Sequence, residues 1–341
     1  MIGDGEFLAI MSNRITYSPA YTLVPTYECF NRCSYCNFRT DPGKSPWLSL
    51  EAAEKILRSL TNKNIIEILI LSGEVHPKSP RRPDWFNHIY QLCKLALSLG
   101  FLPHTNIGPL SYEEMKQLKT VNVSMGLMLE QLTPKLLQTV HRHAPSKDPK
   151  LRLQQLEWAG ELQIPFTTGL LLGIGETEAD REESLSAIAT IHQRWGHIQE
   201  VILQPHSLGS QQDWQGEGFD LQRLPEVITI ARSLLPEDIR IQIPPNLIDQ
   251  PNLLLECLAA GARDLGGISP KDEVNPDYPH PDPQQLAELL TFNGWQFVPR
   301  LPIYPQYNHW LSKALKARVS YWQLQLSQSQ LNILSLYSFN K

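Results

Sequence analysis

The chain has 341 residues, of which 42% are hydrophobic and 19% are charged, and its formal net charge is −5. This apolar fraction is ordinary for a globular protein and excludes wholesale disorder, and no collagen, heptad or solenoid period is visible. The net charge is slightly acidic and no dense tract of Lys and Arg is present, so the sequence shows no basic patch of the kind that binds nucleic acid or an anionic membrane. At roughly 150 residues per domain, the length predicts about two domains or one large α/β barrel with extensions.

The sequence lacks the marks of a membrane or secreted protein. The apolar run Ile65–Leu71 is interrupted by Glu67 and falls far short of the roughly 20 residues that span a bilayer. Met1–Glu6 has no basic region followed by an apolar core, so no signal peptide is visible. The cysteines are odd in number, and three of the five lie within eight positions, which argues against a disulfide framework. We therefore expect a cytoplasmic protein with a metal site.

Short apolar runs alternate with segments of helical spacing along nearly the whole chain. Eight strands are predicted, at Thr22–Tyr27, Ile66–Leu71, Leu102–Asn106, Val121–Leu127, Phe166–Leu172, Glu200–Gln204, Arg240–Ile243 and Asp264–Ile268. Helices are predicted at Leu50–Leu60, Trp85–Leu99, Lys135–Val140, Lys150–Leu162, Thr177–Arg194, Leu221–Leu234 and Asn252–Ala260. A further helix is predicted from Met115, after a capping box formed by Ser111 and Glu114. Buried strands that alternate with helices indicate parallel pairing, and eight such units favour a (β/α)8 barrel of the TIM type.

Two irregular segments follow the sixth and eighth predicted strands. Pro205–Asp220 is a long loop on the catalytic face of such a barrel, where it is a candidate lid. Pro270–Pro283 has five prolines in fourteen residues and connects to a helix near Gln284–Phe292 and a short apolar tail. The predicted organisation is a tail at 1–14, a barrel at 15–269, and a Pro-rich connector with a helical extension packed on the barrel at 270–341.

The most informative motif is a C-x3-C-x2-C pattern formed by Cys29, Cys33 and Cys36, directly after the first predicted strand. Three thiolates on one short loop can hold three corners of a cubane iron–sulfur cluster and leave the fourth iron without a protein ligand. A structural zinc site is the alternative, but it normally requires a fourth ligand, for which His76 and His104 are the candidates. Packed core cysteines fit poorly, because the loop between them is polar.

The pattern Cys-x3-Cys-x-aromatic-Cys after the first strand resembles the signature of the radical S-adenosylmethionine (radical SAM) superfamily. The resemblance implies that Cys29, Cys33 and Cys36 hold a 4Fe-4S cluster whose open iron chelates S-adenosylmethionine. It also implies reductive cleavage of the sulfonium to methionine and a 5′-deoxyadenosyl radical, which abstracts hydrogen from the substrate. In such an enzyme the protein must orient these cofactors and exclude water and oxygen.

Two turns match the same superfamily at the ends of predicted strands. Ser72-Gly73-Glu74 resembles a Gly-Gly-Glu turn that meets the methionine amino group, with Ser in place of the first Gly. Gly173-Ile174-Gly175-Glu176 resembles a Gly-rich turn that approaches the adenine or ribose, since glycine permits a close backbone approach. Arg181 is a candidate partner of the S-adenosylmethionine carboxylate, and an exposed ion pair with nearby acids is the alternative. Taken alone, each motif also fits an ordinary strand-to-helix turn.

Longer stretches of the sequence, between residues 14 and 300, resemble one family within that superfamily. These stretches are Ile15–Ser18, Cys33–Arg39, Leu71–Pro77, His104–Gly108, Ser124–Glu130 and Gln242–Leu247. They are similar to the cyclising subunit of 7,8-didemethyl-8-hydroxy-5-deazariboflavin (FO) synthase. The resemblance implies a lyase that closes the ring of 5-amino-5-(4-hydroxybenzyl)-6-(D-ribitylimino)-5,6-dihydrouracil with loss of ammonia. It further implies a tyrosine-using radical SAM partner that supplies this adduct, and we expect an electron donor of the ferredoxin or flavodoxin type.

Polar residues at the carboxyl ends of barrel strands are the candidate substrate contacts. A ribityl-uracil needs uncharged hydrogen-bonding partners and a phenol needs an apolar wall. The candidate contacts are Asn106, Met125, Met128, Gln204 and Asn246, and the candidate catalytic residues are Glu130, His206 and Asp264. Helix capping, an exposed lid position or core packing are the ordinary alternatives for these residues.

Two other functions fit the same motifs. One is a radical SAM enzyme that acts on another aromatic substrate, such as the tyrosine-using partner or a menaquinone-pathway relative. The other is a zinc- or cluster-binding protein without turnover. Metal content, S-adenosylmethionine cleavage and the identity of the product distinguish the three.

Overall fold

The computed structural model describes residues 13–338, with side chains through residue 328. The predicted tail at 1–14 and the expected lack of a signal peptide therefore fall almost wholly outside the described residues. No helix among the described residues combines the length and the apolar character that crossing a bilayer requires.

Eight parallel strands close into a barrel, which confirms the predicted fold class. The strands are β1 Arg14–Leu23, β2 Glu67–Leu71, β3 Leu102–Asn106, β4 Ser124–Gly126, β5 Phe166–Leu172, β6 Ile198–Pro205, β7 Arg240–Gln242, β8 Asp264–Ile268 and, outside the barrel, β9 Gln296–Pro299. Closure depends on β1, whose segment Thr16–Pro19 pairs with β8 and whose segment Ala20–Leu23 pairs with β2.

Helices follow most strands and cover the outside of the barrel. They are α1 Leu50–Leu60, α2 Arg82–Ser98, α3 Tyr112–Leu118, α4 Pro149–Glu161, α5 Glu178–Trp195, α6 Leu224–Leu234, α7 Pro251–Ala260, α8 Pro283–Phe292 and α9 Lys313–Ser338. The capping box predicted at Ser111 and Glu114 is present at the start of α3. The main hydrophobic core fills the space between strands and helices, with Trp85, Phe166 and Ile68 almost completely buried.

Three predicted elements differ from the structure. The first strand lies at Arg14–Leu23 and not at Thr22–Tyr27, because the chain leaves the sheet before Pro25, which has no N–H for a ladder hydrogen bond. The helix predicted at Lys135–Val140 is a short 3-10 helix, Pro134–Gln138. The predicted short apolar tail instead contains β9 and the 26-residue helix α9.

The segment after β9 closes the amino-terminal end of the barrel. β9 pairs in parallel with the first residues of β1, and Leu301 and Ile303 then pack against Ile66 and Leu102, at the amino ends of β2 and β3. Tyr307, Leu311 and the α9 residues Leu315 and Val319 complete this second cluster. The barrel is therefore plugged at its amino-terminal end and open at the carboxyl-terminal end, where a TIM barrel carries its active site.

Candidate active site

The three cysteines of the motif lie on the loop that follows β1. Backbone hydrogen bonds fix this loop from two sides: the Phe30 N–H donates to the Glu74 carbonyl at 3.0 Å, and the Arg32 N–H donates to the His143 carbonyl at 2.8 Å. All five cysteines of the chain are free thiols, and those of the motif are half-buried, whereas Cys93 and Cys257 are buried in helices. The loop is thus held at the open end of the barrel with its thiols unpaired.

The thiols require a positive charge to ionise. Burial raises the pKa of Cys29 to about 11 and that of Cys33 to about 12. A bound metal supplies the charge that deprotonates such thiols. Three thiols on one loop therefore fit a cluster chemically, although among residues 13–338 no three His, Cys, Asp or Glu side chains are grouped as ligands. Coordination by these cysteines stays a prediction.

The structure gives no support to a zinc site. His76 is exposed, and its Nδ1 accepts a hydrogen bond from the Lys78 N–H at 3.1 Å. His104 lies inside the barrel, where its Nδ1 is 2.7 Å from the Ser124 hydroxyl. Neither imidazole joins the cysteines in a metal-ligand group within the described part of the chain.

The Ser72-Gly73-Glu74 turn lies directly beneath the cysteine loop. A Cβ atom on Gly73 would lie 2.2 Å from the Glu28 carbonyl oxygen, so only glycine fits this contact. The Ser72 hydroxyl accepts a hydrogen bond from Trp85 Nε1 at 3.2 Å, which accounts for Ser at a position where the superfamily pattern has Gly. Glu74 accepts a hydrogen bond from Asn31 Nδ2 at 3.0 Å and so connects the turn to the cysteine loop.

The Gly-rich turn after β5 is stabilised from within. Gly173 and Gly175 have φ values of 86° and 113°, which favour glycine. Glu176 accepts hydrogen bonds from the Gly173 N–H at 2.8 Å and from Arg181 Nε at 2.8 Å. Arg181 is buried and its Nε binds Glu176, so the exposed ion pair is wrong, whereas a contact of Arg181 with a cofactor carboxylate stays a prediction. A cofactor contact by this turn stays a prediction.

A central cavity of about 350 Å³ extends from the cysteine loop into the barrel. Cys36 lines its upper end and Arg300 lies at its lower end. Most of the predicted polar contacts line this one cavity, namely Ser72, Glu74, Asn106, Met128, Glu130, Gln204, His206 and Asn246.

Two of the predicted substrate-contacting and catalytic residues lie elsewhere. Met125 points into the core and lines a separate small cavity beside Phe166, because alternate residues of a strand face opposite sides. Asp264 is the first residue of β8, so it lies at the amino-terminal end of the barrel, opposite the catalytic face. Its carboxylate binds the Arg300 guanidinium with both oxygens, at 2.6 and 2.8 Å. Asp264 is therefore not a catalytic candidate.

The upper wall of the cavity carries a compact group of charges around Glu130. Glu130 has a φ of 66°, which is unusual for a residue with a side chain, and it accepts a hydrogen bond from Lys147 Nζ at 2.5 Å. Arg152 lies 3.8 Å from both the Glu130 and the Glu74 carboxylates. Burial alone would raise the pKa of Glu130, but Lys147 and Arg152 hold it below its ordinary value. This group is a charged wall for a polar ligand.

Two neutral imidazoles flank that wall. The Tyr35 hydroxyl lies 2.9 Å from His141 Nε2, and burial lowers the pKa of His141 to about 3. His206 Nε2 lies 3.1 Å from Gln212 Oε1, and burial also lowers the pKa of His206. Because an amide oxygen only accepts, Nε2 carries the proton, and Nδ1 of His206 is a buried acceptor without a partner among the described residues.

The candidate lid is tied down by four residues, Asn37, Ser210, Gln211 and Asp277, which we call the clasp. Asn37 follows the last cysteine, donates to Asp277 at 2.9 Å and accepts from the Gln211 N–H at 2.8 Å. The Ser210 N–H donates to Asp277 at 2.8 Å. The clasp joins the cysteine loop, the loop after β6 and the Pro-rich connector above the cavity.

Comparisons with known proteins agree with this architecture. The model of the Radical SAM superfamily matches residues 23–188. The 7,8-didemethyl-8-hydroxy-5-deazariboflavin synthase of Trichormus variabilis is 69% identical over 308 residues, which is 90% of this chain and 91% of that protein. The chain belongs to the 7,8-didemethyl-8-hydroxy-5-deazariboflavin synthase family. It is a radical SAM enzyme, and the superfamily implies a 4Fe-4S cluster and S-adenosylmethionine as cofactors.

Other members of the family and solved structures extend the comparison. The synthases of Trichodesmium erythraeum and Gloeobacter violaceus are 66% and 56% identical, and the matches cover 93% and 92% of this chain and 99% and 98% of those proteins. The FeFe-hydrogenase maturase HydG from Carboxydothermus hydrogenoformans has a TM-score of 0.69 at 18% identity, covering 93% of this chain and 79% of that one. Methylornithine synthase (PylB) has a TM-score of 0.66 at 15% identity, covering 85% of each chain. These structures share the fold.

Proposed function

We propose that this chain is the cyclising component of FO synthase. It converts the 4-hydroxybenzyl adduct of ribitylamino-uracil to FO, with loss of ammonia. The observation that supports this most directly is a continuous cavity that begins at the cysteine loop and ends on a polar floor, in a chain that matches FO synthases along nearly their whole length. One cysteine motif in 341 residues fits one radical reaction and not two.

Cys29, Cys33 and Cys36 would hold the cluster, and Gly73 and Glu74 would face S-adenosylmethionine beside it. When bound, these cofactors supply a 5′-deoxyadenosyl radical that abstracts hydrogen from the substrate. The half-buried carboxylate of Glu74 already lies 3.0 Å from Asn31 of the cysteine loop, so loop and turn are positioned together before any ligand enters.

His206 is the proposed proton acceptor for aromatisation of the new ring. It lines the cavity, its Nδ1 has no partner among the described residues, and burial keeps the imidazole neutral. Glu130 is a weaker base, because Lys147 and Arg152 stabilise its ionised form. The clasp above His206 would exclude water while the radical is present.

Two partners belong to the proposal. A tyrosine-using radical SAM enzyme supplies the adduct, and a ferredoxin- or flavodoxin-like protein supplies the electron. Apart from these, the small-molecule substrate is the only proposed partner.

An anaerobic assay with two substrate sets tests the proposal. The protein, reconstituted with iron and sulfide, is given reductant and S-adenosylmethionine together with either the purified adduct or tyrosine plus the ribitylamino-uracil. We expect deazaflavin fluorescence only with the adduct, accompanied by 5′-deoxyadenosine. Formation of the adduct from tyrosine would instead identify the tyrosine-using component. A loaded cluster that yields neither FO nor 5′-deoxyadenosine would contradict radical catalysis.

A further inference from the structure

The floor of the central cavity is a second polar site, far from the cysteine loop. Glu67, the first residue of β2, Glu200 of β6 and Arg300 after β9 all line it. The segment from Glu67 to Leu71 rises roughly 13 Å at about 3.3 Å per residue, so the floor lies about that far below the Ser72 turn. None of these floor residues takes part in holding the cofactors as proposed above.

The floor has more hydrogen-bond acceptors than donors. Arg300 binds Asp264 with two N–H groups, the Leu301 carbonyl with a third at 3.1 Å, and also the Glu200 carboxylate. Tyr304 and Thr167 hydroxyls lie 3.2 and 2.9 Å from Glu200. One guanidinium therefore serves two carboxylates and has little capacity left.

Glu67 is the third carboxylate of the floor, and it has no ion-pair partner. It is only 7% exposed, and no Lys, Arg or His of the described residues lies within ion-pair distance. Burial raises its pKa, and the attraction of Arg300 and the nearby Ser18 hydroxyl only partly oppose this effect. A buried carboxylate without a paired cation is costly in free energy, and such groups are typical of binding sites.

His104 provides an independent unpartnered acceptor on the same wall. Its ring is 7% exposed and lines the cavity two residues above Leu102 on β3. The Ser124 hydroxyl donates its one proton to the Pro302 carbonyl, so it must accept a proton from His104 Nδ1. His104 Nε2 is therefore an unprotonated acceptor, and burial, which lowers its pKa to about 3, keeps it neutral.

The space in front of His104 is kept open by a glycine. A Cβ atom on Gly126 of β4 would lie 3.0 Å from His104 Nε2, which is closer than ordinary packing allows. No described side chain forms a hydrogen bond with Nε2 in that space. The lower cavity thus presents two acceptors, the Glu67 carboxylate and His104 Nε2, with which no described cation pairs.

We propose that this floor, formed by Glu67, His104 and Glu200, binds the polyol arm of the substrate through its hydroxyl groups. The inference rests on the proposed function, which supplies a ribityl chain as the one hydroxyl-rich part of the substrate. Hydroxyl groups donate to carboxylates and to an imidazole acceptor, whereas a carboxylate or phosphate would be repelled here. A cationic group is a poorer match, because the amino group that leaves lies at the reacting carbon and belongs near the cofactors.

The consequence is a fixed orientation of the substrate. With its polyol on the floor, the phenol and the reacting carbon point up towards Cys36 and the Glu130 wall. The floor residues are then specificity and positioning residues and not catalytic ones.

A binding experiment with two fluorescent deazaflavins tests the floor. The ligands are FO and its analogue with a methyl group in place of the ribityl chain, titrated anaerobically into the cluster-loaded protein with S-adenosylmethionine and no reductant. We expect the wild type to bind FO at least about tenfold more tightly, because hydrogen bonds to charged groups discriminate strongly. Glu67→Gln and His104→Phe each reduce that preference several-fold and leave affinity for the methyl analogue unchanged.

The ratio of the two affinities separates recognition of the polyol from damage to the fold, since a damaged fold weakens the binding of both ligands alike. Glu114→Gln is the matched control, because Glu114 forms a partly buried ion pair with Arg82 outside the cavity. Equal binding of both ligands by the wild type, no binding of FO, or an unchanged ratio in both floor variants would overturn the inference. A protein that prefers FO but forms none from the adduct would contradict the proposed function and leave the polyol site in place.

Discussion

At the scale of single residues, the upper end of the cavity, beside the cysteine loop, depends on positions where the backbone conformation itself is constrained. Gly73 touches the Glu28 carbonyl so closely that no side chain fits. Glu130 adopts a left-handed conformation, with a φ of 66°, which costs on the order of 1 kcal/mol or more and places its carboxylate on Lys147. Such strain is retained where a precise position is required.

The cysteine motif gives the first prediction. Cys33→Ala removes one of three thiols on the loop, so we expect loss of cluster assembly and of S-adenosylmethionine cleavage. Cys93→Ala is the matched control, because Cys93 is completely buried in α2 and is remote from the loop. Iron and sulfide content and the yield of 5′-deoxyadenosine measure both effects. A Cys33 variant with a full cluster and normal cleavage would show that the ligand assignment is wrong.

Residues that form contiguous motifs could be predicted from the sequence, whereas residues that meet only in the folded barrel could not. Spacing, placement after the first strand and the aromatic Tyr35 make Cys29, Cys33 and Cys36 the predicted cluster ligands, and the structure places the three cysteines on one loop. Arg300 follows the ninth strand, which was not predicted, and no local pattern indicates that it reaches the barrel interior. Glu67 did leave a signal, since a charge inside the apolar run Ile65–Leu71 is unusual for a buried strand.

At the scale of elements, the clasp connects three loops that are distant in sequence. Asp277 of the connector binds both Asn37 beside the last cysteine and Ser210 of the loop after β6. The clasp therefore couples the position of the cysteine loop to closure of the cavity.

Asp277→Asn tests this coupling. The amide keeps one acceptor oxygen but loses the negative charge that strengthens the hydrogen bonds from Ser210 and Asn37. The lid should therefore open more often. We expect the Ser210 and Gln211 amides to exchange with deuterium about tenfold faster. Asp249→Asn, at an exposed position, is the control. Unchanged exchange at both amides would show that Asp277 does not restrain the lid.

The barrel itself could be predicted at this scale because strand and helix periodicities alternate strongly. The position of its first strand could not be predicted, because Arg14–Leu23 is rich in hydroxyl-bearing and aromatic residues and lacks the continuous apolar run of a buried strand. β9 was missed because its four residues are partly exposed and pair only with the start of β1. Strand order beyond the barrel depends on tertiary contacts, which local patterns do not show.

At the scale of the whole molecule, the ion pairs of the floor connect the C-terminal segment to the barrel. Arg300→Met leaves the buried Asp264 and Glu200 without their cation, so we expect a loss of about 3–5 kcal/mol in the free energy of unfolding. Arg58→Met is the control, because the exposed Arg58–Glu54 pair contributes less than about 1 kcal/mol. Urea unfolding measures both variants. Equal effects of the two substitutions would contradict a structural role for Arg300.

The same floor predicts how stability depends on pH. Burial raises the pKa of Glu200 to about 7, against the attraction of Arg300, while the unfolded chain releases that proton near 4.5. The folded chain therefore binds more protons between these values, and stability falls as the pH rises through this window. We expect the wild type to lose on the order of 2 kcal/mol more than Glu200→Gln between pH 5 and 8. An equal or steeper loss in the variant would contradict the raised pKa.

The most direct test of the proposed reaction follows three products in one anaerobic vessel. The cluster-loaded protein receives reductant, S-adenosylmethionine and the purified adduct, and FO, ammonia and 5′-deoxyadenosine are measured over time. We expect FO and ammonia to appear together, one for one, with 5′-deoxyadenosine, and Cys33→Ala to form none of them. Formation of 5′-deoxyadenosine by a fully loaded cluster, without FO or ammonia, would contradict cyclisation of this adduct as the reaction of this chain.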